Sequence, residues 1–288
     1  MKKVLNVFRH VEPHWVGDGF PVRTLFSYHS LGAAISPFLL LDYAGPHTFA
    51  PSSGPTRGVG EHPHRGFETV TVVYQGELEH RDSGGNHGTI GVGDVQWMTA
   101  ASGVVHEEFH STAFTRNGGT LEMVQLWVNL PAADKLSPPR YQGILADQIP
   151  SVRLPGDAGS VRVIAGEFQG TKGPARTFTP VHLWDVRLNA GGRAELAVPE
   201  NYTTALVVQR GAATLNGSEV VNPAEFALFD RAGDRFTVEC REDTTALLLC
   251  GEPIDEPVVG QGPFVMNTRE EISQAIRDYQ SGKMGHLS

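Results

Sequence analysis

His62-Pro63-His64-Arg65-Gly66 runs into Phe67-Glu68-Thr69-Val70-Thr71-Val72-Val73-Tyr74 and stops at Gln75-Gly76. The part from Glu68 onward is dense in β-branched residues and ends on a turn signal, so it reads as a strand. Asp82-Ser83-Gly84-Gly85-Asn86 and Gly91-Val92-Gly93-Asp94 are further turn clusters, with strand-length segments between them. Residues 120–130 form another strand candidate. Leu121, Met123, Gln125 and Trp127 fall on one face, and Glu122, Val124, Leu126 and Val128 on the other. Short strands at this spacing predict an all-β sandwich or barrel.

Residues 131–142 interrupt the pattern with Pro131, Pro138 and Pro139 among Asp134, Lys135 and Arg140, which places a domain boundary here. The expected division is an N-terminal domain over residues 1–135 and a C-terminal domain over 136–288. Beyond the boundary, Leu206-Val207-Val208-Gln209-Arg210-Gly211 echoes Val72-Val73-Tyr74-Gln75-Gly76, and Glu225-Phe226-Ala227-Leu228-Phe229 echoes Asp94-Val95-Gln96-Trp97-Met98. Two matches in the same order predict an internal duplication. Thr268-Arg269-Glu270-Glu271 is a capping-box sequence, followed by Ile272, Ala275, Ile276 and Tyr279 at helical spacing and Gly282 as a stop. One amphipathic helix docked on the β body is expected there.

The whole chain of 288 residues fits two domains or one large β-rich one. Lys and Arg number 23 against 32 Asp and Glu, a net charge of −9 that argues against a nucleic-acid surface. The two cysteines, Cys240 and Cys250, exclude a disulfide scaffold and fit a reducing compartment. The N-terminal residues lack the apolar run of a signal peptide, and no apolar stretch approaches the length of a membrane span. A soluble cytoplasmic protein is expected.

Six of the 12 histidines lie between positions 62 and 110. In a strand, residues two apart share a side. His62 and His64 therefore project together, as do His106 and Glu108, with Glu107 turned away. Two neighbouring strands giving two groups each would build a site of three imidazoles and one carboxylate. Such a set suits Fe, Mn, Ni, Cu or Zn, and leaves two positions open on an octahedral ion. Glu68 competes with Glu108 for the carboxylate position, being four residues after His64. Its other role would be a hydrogen bond that orients an imidazole. His110 continues the face of 106 and 108 toward a strand end. His80 and His87 sit near turns and read as solvated, and His10, His14, His29, His47, His182 and His286 are isolated.

The second half lacks this chemistry. The internal match puts Ala197 and Pro199 near the places of His62 and His64, and Thr237 and Glu239 at those of His106 and Glu108. One carboxylate cannot hold a transition metal, so the C-terminal domain is expected to be metal-free. Phe226, Leu228, Phe229 and Phe236 read as its core.

Residues 62–69, Gly93-Asp94-Val95-Gln96-Trp97-Met98-Thr99-Ala100, Gly103-Val104-Val105-His106-Glu107-Glu108 and Gly262-Pro263-Phe264-Val265-Met266-Asn267-Thr268 together resemble the pirin family of bicupins. The resemblance covers nearly the whole chain. It implies two cupin barrels (double-stranded β-helices, or jelly rolls) in one chain, with one metal in the N-terminal barrel bound by His62, His64, His106 and Glu108. The general cupin pattern instead takes its glutamate at a place like Glu68. Ala100-Ala101-Ser102-Gly103 replaces the small-Pro-x-Gly turn of germin-type cupins, which fits pirins better and weakens an oxalate-enzyme reading.

By the same resemblance, the expected activity is that of a quercetin 2,3-dioxygenase, which opens the central ring of a flavonol or related hydroxyaromatic with O2. The cofactor would be one divalent transition metal, Fe(II) first, with Ni, Mn, Co, Cu or Zn as alternatives. Glu108 is the expected proton acceptor and Glu68 the reserve. Val70, Val72, Trp97, Met98 and Phe109 are candidates for the pocket wall. The other reading is a metal- and redox-responsive regulatory protein that binds a protein partner without turnover. A monomer is expected, because one chain supplies both barrels.

Overall fold

The computed structural model describes residues 1–9 and 11–287, so His10 lies outside the described residues. Strands dominate, and the chain separates into two compact units. One comprises residues 13–32, 38–146 and 254–288; the other comprises 1–12, 33–37 and 147–253.

This corrects the expected division at residue 135. The break in the middle of the chain falls at 146, and the two ends of the chain exchange units. The reason lies in pairing that a linear reading does not reveal. Val4–Phe8 is hydrogen-bonded antiparallel to Glu225–Phe229. Phe264, Met266, Ile272, Ala275 and Met284 pack around Val105.

In the first unit, a seven-stranded sheet runs in the order Arg140–Ile144, Val95–Thr99, Phe67–Gln75, Gly119–Asn129, Phe38–Phe49, Phe20–Ser27, His14–Val16. A four-stranded sheet runs Gly58–His64, Val104–His110, Leu78–Asp82, His87–Ile90. The chain passes between the sheets at Arg65-Gly66. Gly66 has φ +91°, and a Cβ there would meet the carbonyl oxygen of Val265 at 1.9 Å. Only glycine allows the 264–266 strand to come so close.

The second unit repeats the plan. Its seven-stranded sheet centres on Glu225–Phe229, Thr203–Arg210 and Thr244–Gly251, and its four-stranded sheet is Arg193–Ala197, Arg235–Cys240, Ala213–Leu215, Glu219–Val221. The two sequence echoes are paired neighbours in both units: Val72 lies opposite Val95, and Val207 opposite Phe226. The duplication is therefore structural.

The expected helix spans Arg269–Gln280. Thr268 Oγ1 accepts from the Glu271 amide at 3.2 Å, and the Glu271 carboxylate accepts from the Thr268 amide at 2.8 Å. Ile272 and Ala275 are buried, while Tyr279 is exposed. Among the described residues, no helix is long and apolar enough to cross a membrane.

Candidate metal centre

Strands 58–64 and 104–110 are antiparallel neighbours, with His62 opposite His106 and His64 opposite Val104. The register slips between His106 and Glu108, which lies opposite Val59. One extra residue on strand 58–64 makes this bulge, a device that bends a strand and re-aims its side chains. The three imidazoles converge: ring centroids are 4.3 Å apart for His62 and His106, and 4.9 Å for His64 and His106. Ligand atoms of His62, His64 and His106 lie within 4.8 Å of one another, as do those of His80, His106 and Glu108. Glu107 points away and pairs with Arg81.

The protonation chemistry suits ligation. Burial, reinforced by His62, lowers His64 to about 3. Burial and the neighbouring imidazoles hold His106 well below its ordinary value. Both are neutral and carry lone pairs at physiological pH. His62 donates through Nδ1 to the Gly60 carbonyl at 2.8 Å, and His64 through Nδ1 to that of Pro263 at 3.4 Å. A carbonyl can only accept, so Nδ1 is the donor in each, which leaves Nε2 as the nitrogen available to a metal. Among the described residues, His106 has no hydrogen-bond partner for either of its buried ring nitrogens. An orphaned buried nitrogen costs about 1–3 kcal/mol. Three imidazoles beside one carboxylate, two of them held neutral by burial, fit a divalent first-row transition metal, which would take up such a lone pair.

Glu108 is held by neutral donors: Gln96 Nε2 at 3.2 Å, Thr71 Oγ1 at 3.4 Å and Gln125 Nε2 at 3.4 Å. Gln96 also reaches His80, a residue expected to be solvated but only 1% exposed. His80 Nε2 lies 3.3 Å from Asp82 Oδ2, Nδ1 lies 3.3 Å from Gln96 Nε2, and the ring stacks on Tyr141. Both nitrogens are engaged, so His80 braces Glu108 through Gln96. The alternation Leu78, His80, Asp82 on one side of a strand was the signal for this, and the nearby turn obscured it.

Glu68 requires a correction. It accepts from Thr99 Oγ1 at 2.7 Å and does not line the cavity beside the histidines. The regular strand that would align it with His64 is broken at Arg65-Gly66, where the chain changes sheet. Thr71 faces Glu108, and Glu68 lies three residues away on the opposite face of the same strand. It therefore orients none of the imidazoles. Burial raises its carboxyl to about 7, against the opposing pull of Thr99. His110 is also elsewhere, with Nε2 2.9 Å from the Gly19 carbonyl. His87 is exposed, as expected.

A cavity of about 390 Å³ opens beside the cluster and is lined by His62, His64 and Glu108. Its apolar wall comes from Val16, Phe20, Val22, Val59, Met123 and Trp127, and Asp42 and Gln125 add polar groups. The expected wall residues Val70, Val72, Trp97, Met98 and Phe109 do not line it. Val70, Val72 and Trp97 share the Glu68 face of their sheet, and Met98 packs with Ala100 and Val104. The face read for Met123, Gln125 and Trp127 is the one that supplies the cavity.

In the second unit, Leu196 lies opposite Phe236 as His62 lies opposite His106, and Leu215 opposite Val238 as His80 opposite Glu108. All four are in that unit's apolar core. The expected counterparts Ala197, Thr237 and Glu239 are one residue out of register, which puts them on the other face. The inward positions carry no ligand atom.

The pirin family model matches residues 19–128, and the model of the pirin C-terminal cupin domain matches residues 183–285. The chain belongs to the pirin family. Both domains of this pirin are of cupin type. It is 59% identical to a Pseudomonas aeruginosa protein named "Putative quercetin 2,3-dioxygenase PA2418", over 98% of each chain. It is 40% identical to a tomato (Solanum lycopersicum) pirin-like protein, over 93% of this chain and 88% of the other. It also superposes on a crystal structure of quercetin 2,3-dioxygenase from Acinetobacter baumannii with a TM-score of 0.97, 52% identity and full coverage of both chains. Family membership and the His/Glu cluster together suggest a divalent metal.

Proposed function

We propose that this pirin is a metal-dependent dioxygenase that opens the central ring of a flavonol or related hydroxyaromatic with O2, releasing carbon monoxide. The observation that carries the reading is the pair of His106 nitrogens without a hydrogen bond among two other imidazoles, beside Glu108 in the lining of an apolar cavity. The names of the close relatives support it.

His62, His64, His106 and Glu108 are the proposed ligands, and Fe(II) is the proposed resident ion. A bound divalent metal supplies Lewis acidity that lowers the cost of ionising the substrate hydroxyl. Glu108 accepts the proton of that hydroxyl. Gln96, Thr71 and Gln125 fix the carboxylate while it does so. The walls formed by Val22, Met123 and Trp127 clasp the aromatic rings and exclude water from the reacting carbons. The C-terminal domain, with apolar side chains at the matching positions, is proposed to be metal-free. Two buried free cysteines agree with a reducing cytoplasmic setting.

The test is O2 uptake together with loss of flavonol absorbance, using protein loaded separately with Fe, Ni, Co, Mn or Cu. Turnover that disappears in His62→Ala and Glu108→Ala is expected. Metal-loaded protein that binds a flavonol and never turns it over would overturn the reading.

A further inference from the structure

Asp42 is a carboxylate in the wall of the apolar cavity, and nothing in the proposed chemistry uses it. It lies on strand 38–49, opposite Gln125 on one side and Thr24 on the other. Thr24 Oγ1 donates to Asp42 Oδ1 at 2.5 Å, the only hydrogen bond to Asp42 among the described residues, and His14 acts on it electrostatically without forming a salt bridge. Oδ2 therefore keeps its accepting capacity in a half-buried, largely apolar setting. Burial raises the carboxyl above its ordinary value, against the pull of Thr24 and His14. Gln125 is turned toward Glu108, to which it donates. Glu108, Gln125 and Asp42 thus place polar groups along a largely apolar chamber, and Asp42, backed by Thr24, is the open acceptor among them.

We infer that Asp42 is a specificity-determining residue that accepts a hydrogen bond from a second phenolic hydroxyl of the substrate, away from the hydroxyl beside Glu108. The inference rests on the hydroxyaromatic reading above and narrows it to polyhydroxylated rings. An acceptor left without a partner in an apolar wall discriminates strongly between ligands that do and do not supply a donor.

The test measures binding, not turnover. Zn(II)-loaded full-length protein is titrated without O2 against quercetin and against 3-hydroxyflavone, which lacks the additional hydroxyls, following tryptophan fluorescence. Asp42→Asn presents an NH2 in place of an acceptor. It is expected to weaken quercetin about tenfold and to leave 3-hydroxyflavone unchanged, the loss typical of one charge-assisted hydrogen bond. In the unaltered protein, methyl ethers of the individual quercetin hydroxyls give an independent measurement. One ether is expected to bind about tenfold more weakly than quercetin. Equal changes for both ligands, or none, together with ethers that all bind like quercetin, overturn the Asp42 assignment and leave the proposed function standing. Failure of the unaltered protein to bind either ligand overturns both.

Discussion

His62 and His106 face each other across the antiparallel pair, their ring centroids 4.3 Å apart. His62 is fixed by a backbone carbonyl, whereas His106 has no hydrogen-bond partner among the described residues. This asymmetry makes His106 the residue whose replacement separates metal binding from stability. His106→Leu is expected to abolish metal binding, read by metal content after purification without chelator. In chelator-treated samples the same variant should match or exceed the parent in urea unfolding, by up to about 1–3 kcal/mol, because two orphaned nitrogens are gone. A clear loss of stability of the chelated variant would contradict this.

Glu108 depends on Gln96, and Gln96 on His80. Gln96→Leu and His80→Leu are expected to lower metal affinity about 10- to 100-fold without unfolding the protein, since groups behind a ligand set its orientation. Competition with a chromogenic chelator measures the change, and circular dichroism checks the fold. Unchanged affinity in both variants would remove His80 from the site.

The raised carboxyl of Glu68 gives a pH signature. Unfolded, it titrates near 4.5; folded, near 7. Between those values the native state holds the proton more tightly, so this contribution to stability is complete below pH 4.5 and is lost as pH rises through 7. Glu68→Gln keeps an oxygen for Thr99 and should flatten the profile. Its advantage over the parent should be absent near pH 4 and reach a few kcal/mol near pH 8, at about 1.4 kcal/mol per pKa unit. Denaturation at a series of pH values tests it, and parallel curves would refute it.

Arg65, next to His64, donates to Asp278 Oδ2 at 2.9 Å, and both side chains are nearly buried. Lys283 reaches the other oxygen of Asp278 from solvent. Asp278→Ala is expected to cost about 3 kcal/mol by stranding the guanidinium. Lys283→Ala should cost less than about 1 kcal/mol, as an exposed partner. Comparable costs in chemical denaturation would mean that burial does not distinguish the two contacts.

Strand faces were legible in the sequence because alternation is local. His62 with His64, His106 with Glu108, and Met123 with Gln125 and Trp127 each needed only a period of two. The same rule fails for Glu68 because the chain changes sheet at Gly66. His80 was missed because composition beside a turn suggests exposure, while its burial comes from Gln96 and Tyr141 on distant strands. The matching positions of the second domain were off by one because a short echo does not determine register in the other sheet. The exchange of chain ends between units leaves no local mark at all.

That exchange also sets an order of assembly. Pro263, whose carbonyl steadies His64, and the 264–266 strand beside Gly66 are translated more than a hundred residues after the barrel they complete. On the ribosome, the histidine-bearing barrel must wait, unfinished, while the whole second domain emerges. Any ion capture that needs the finished barrel would therefore follow synthesis of the 264–266 strand, however early His62, His64, His106 and Glu108 appear.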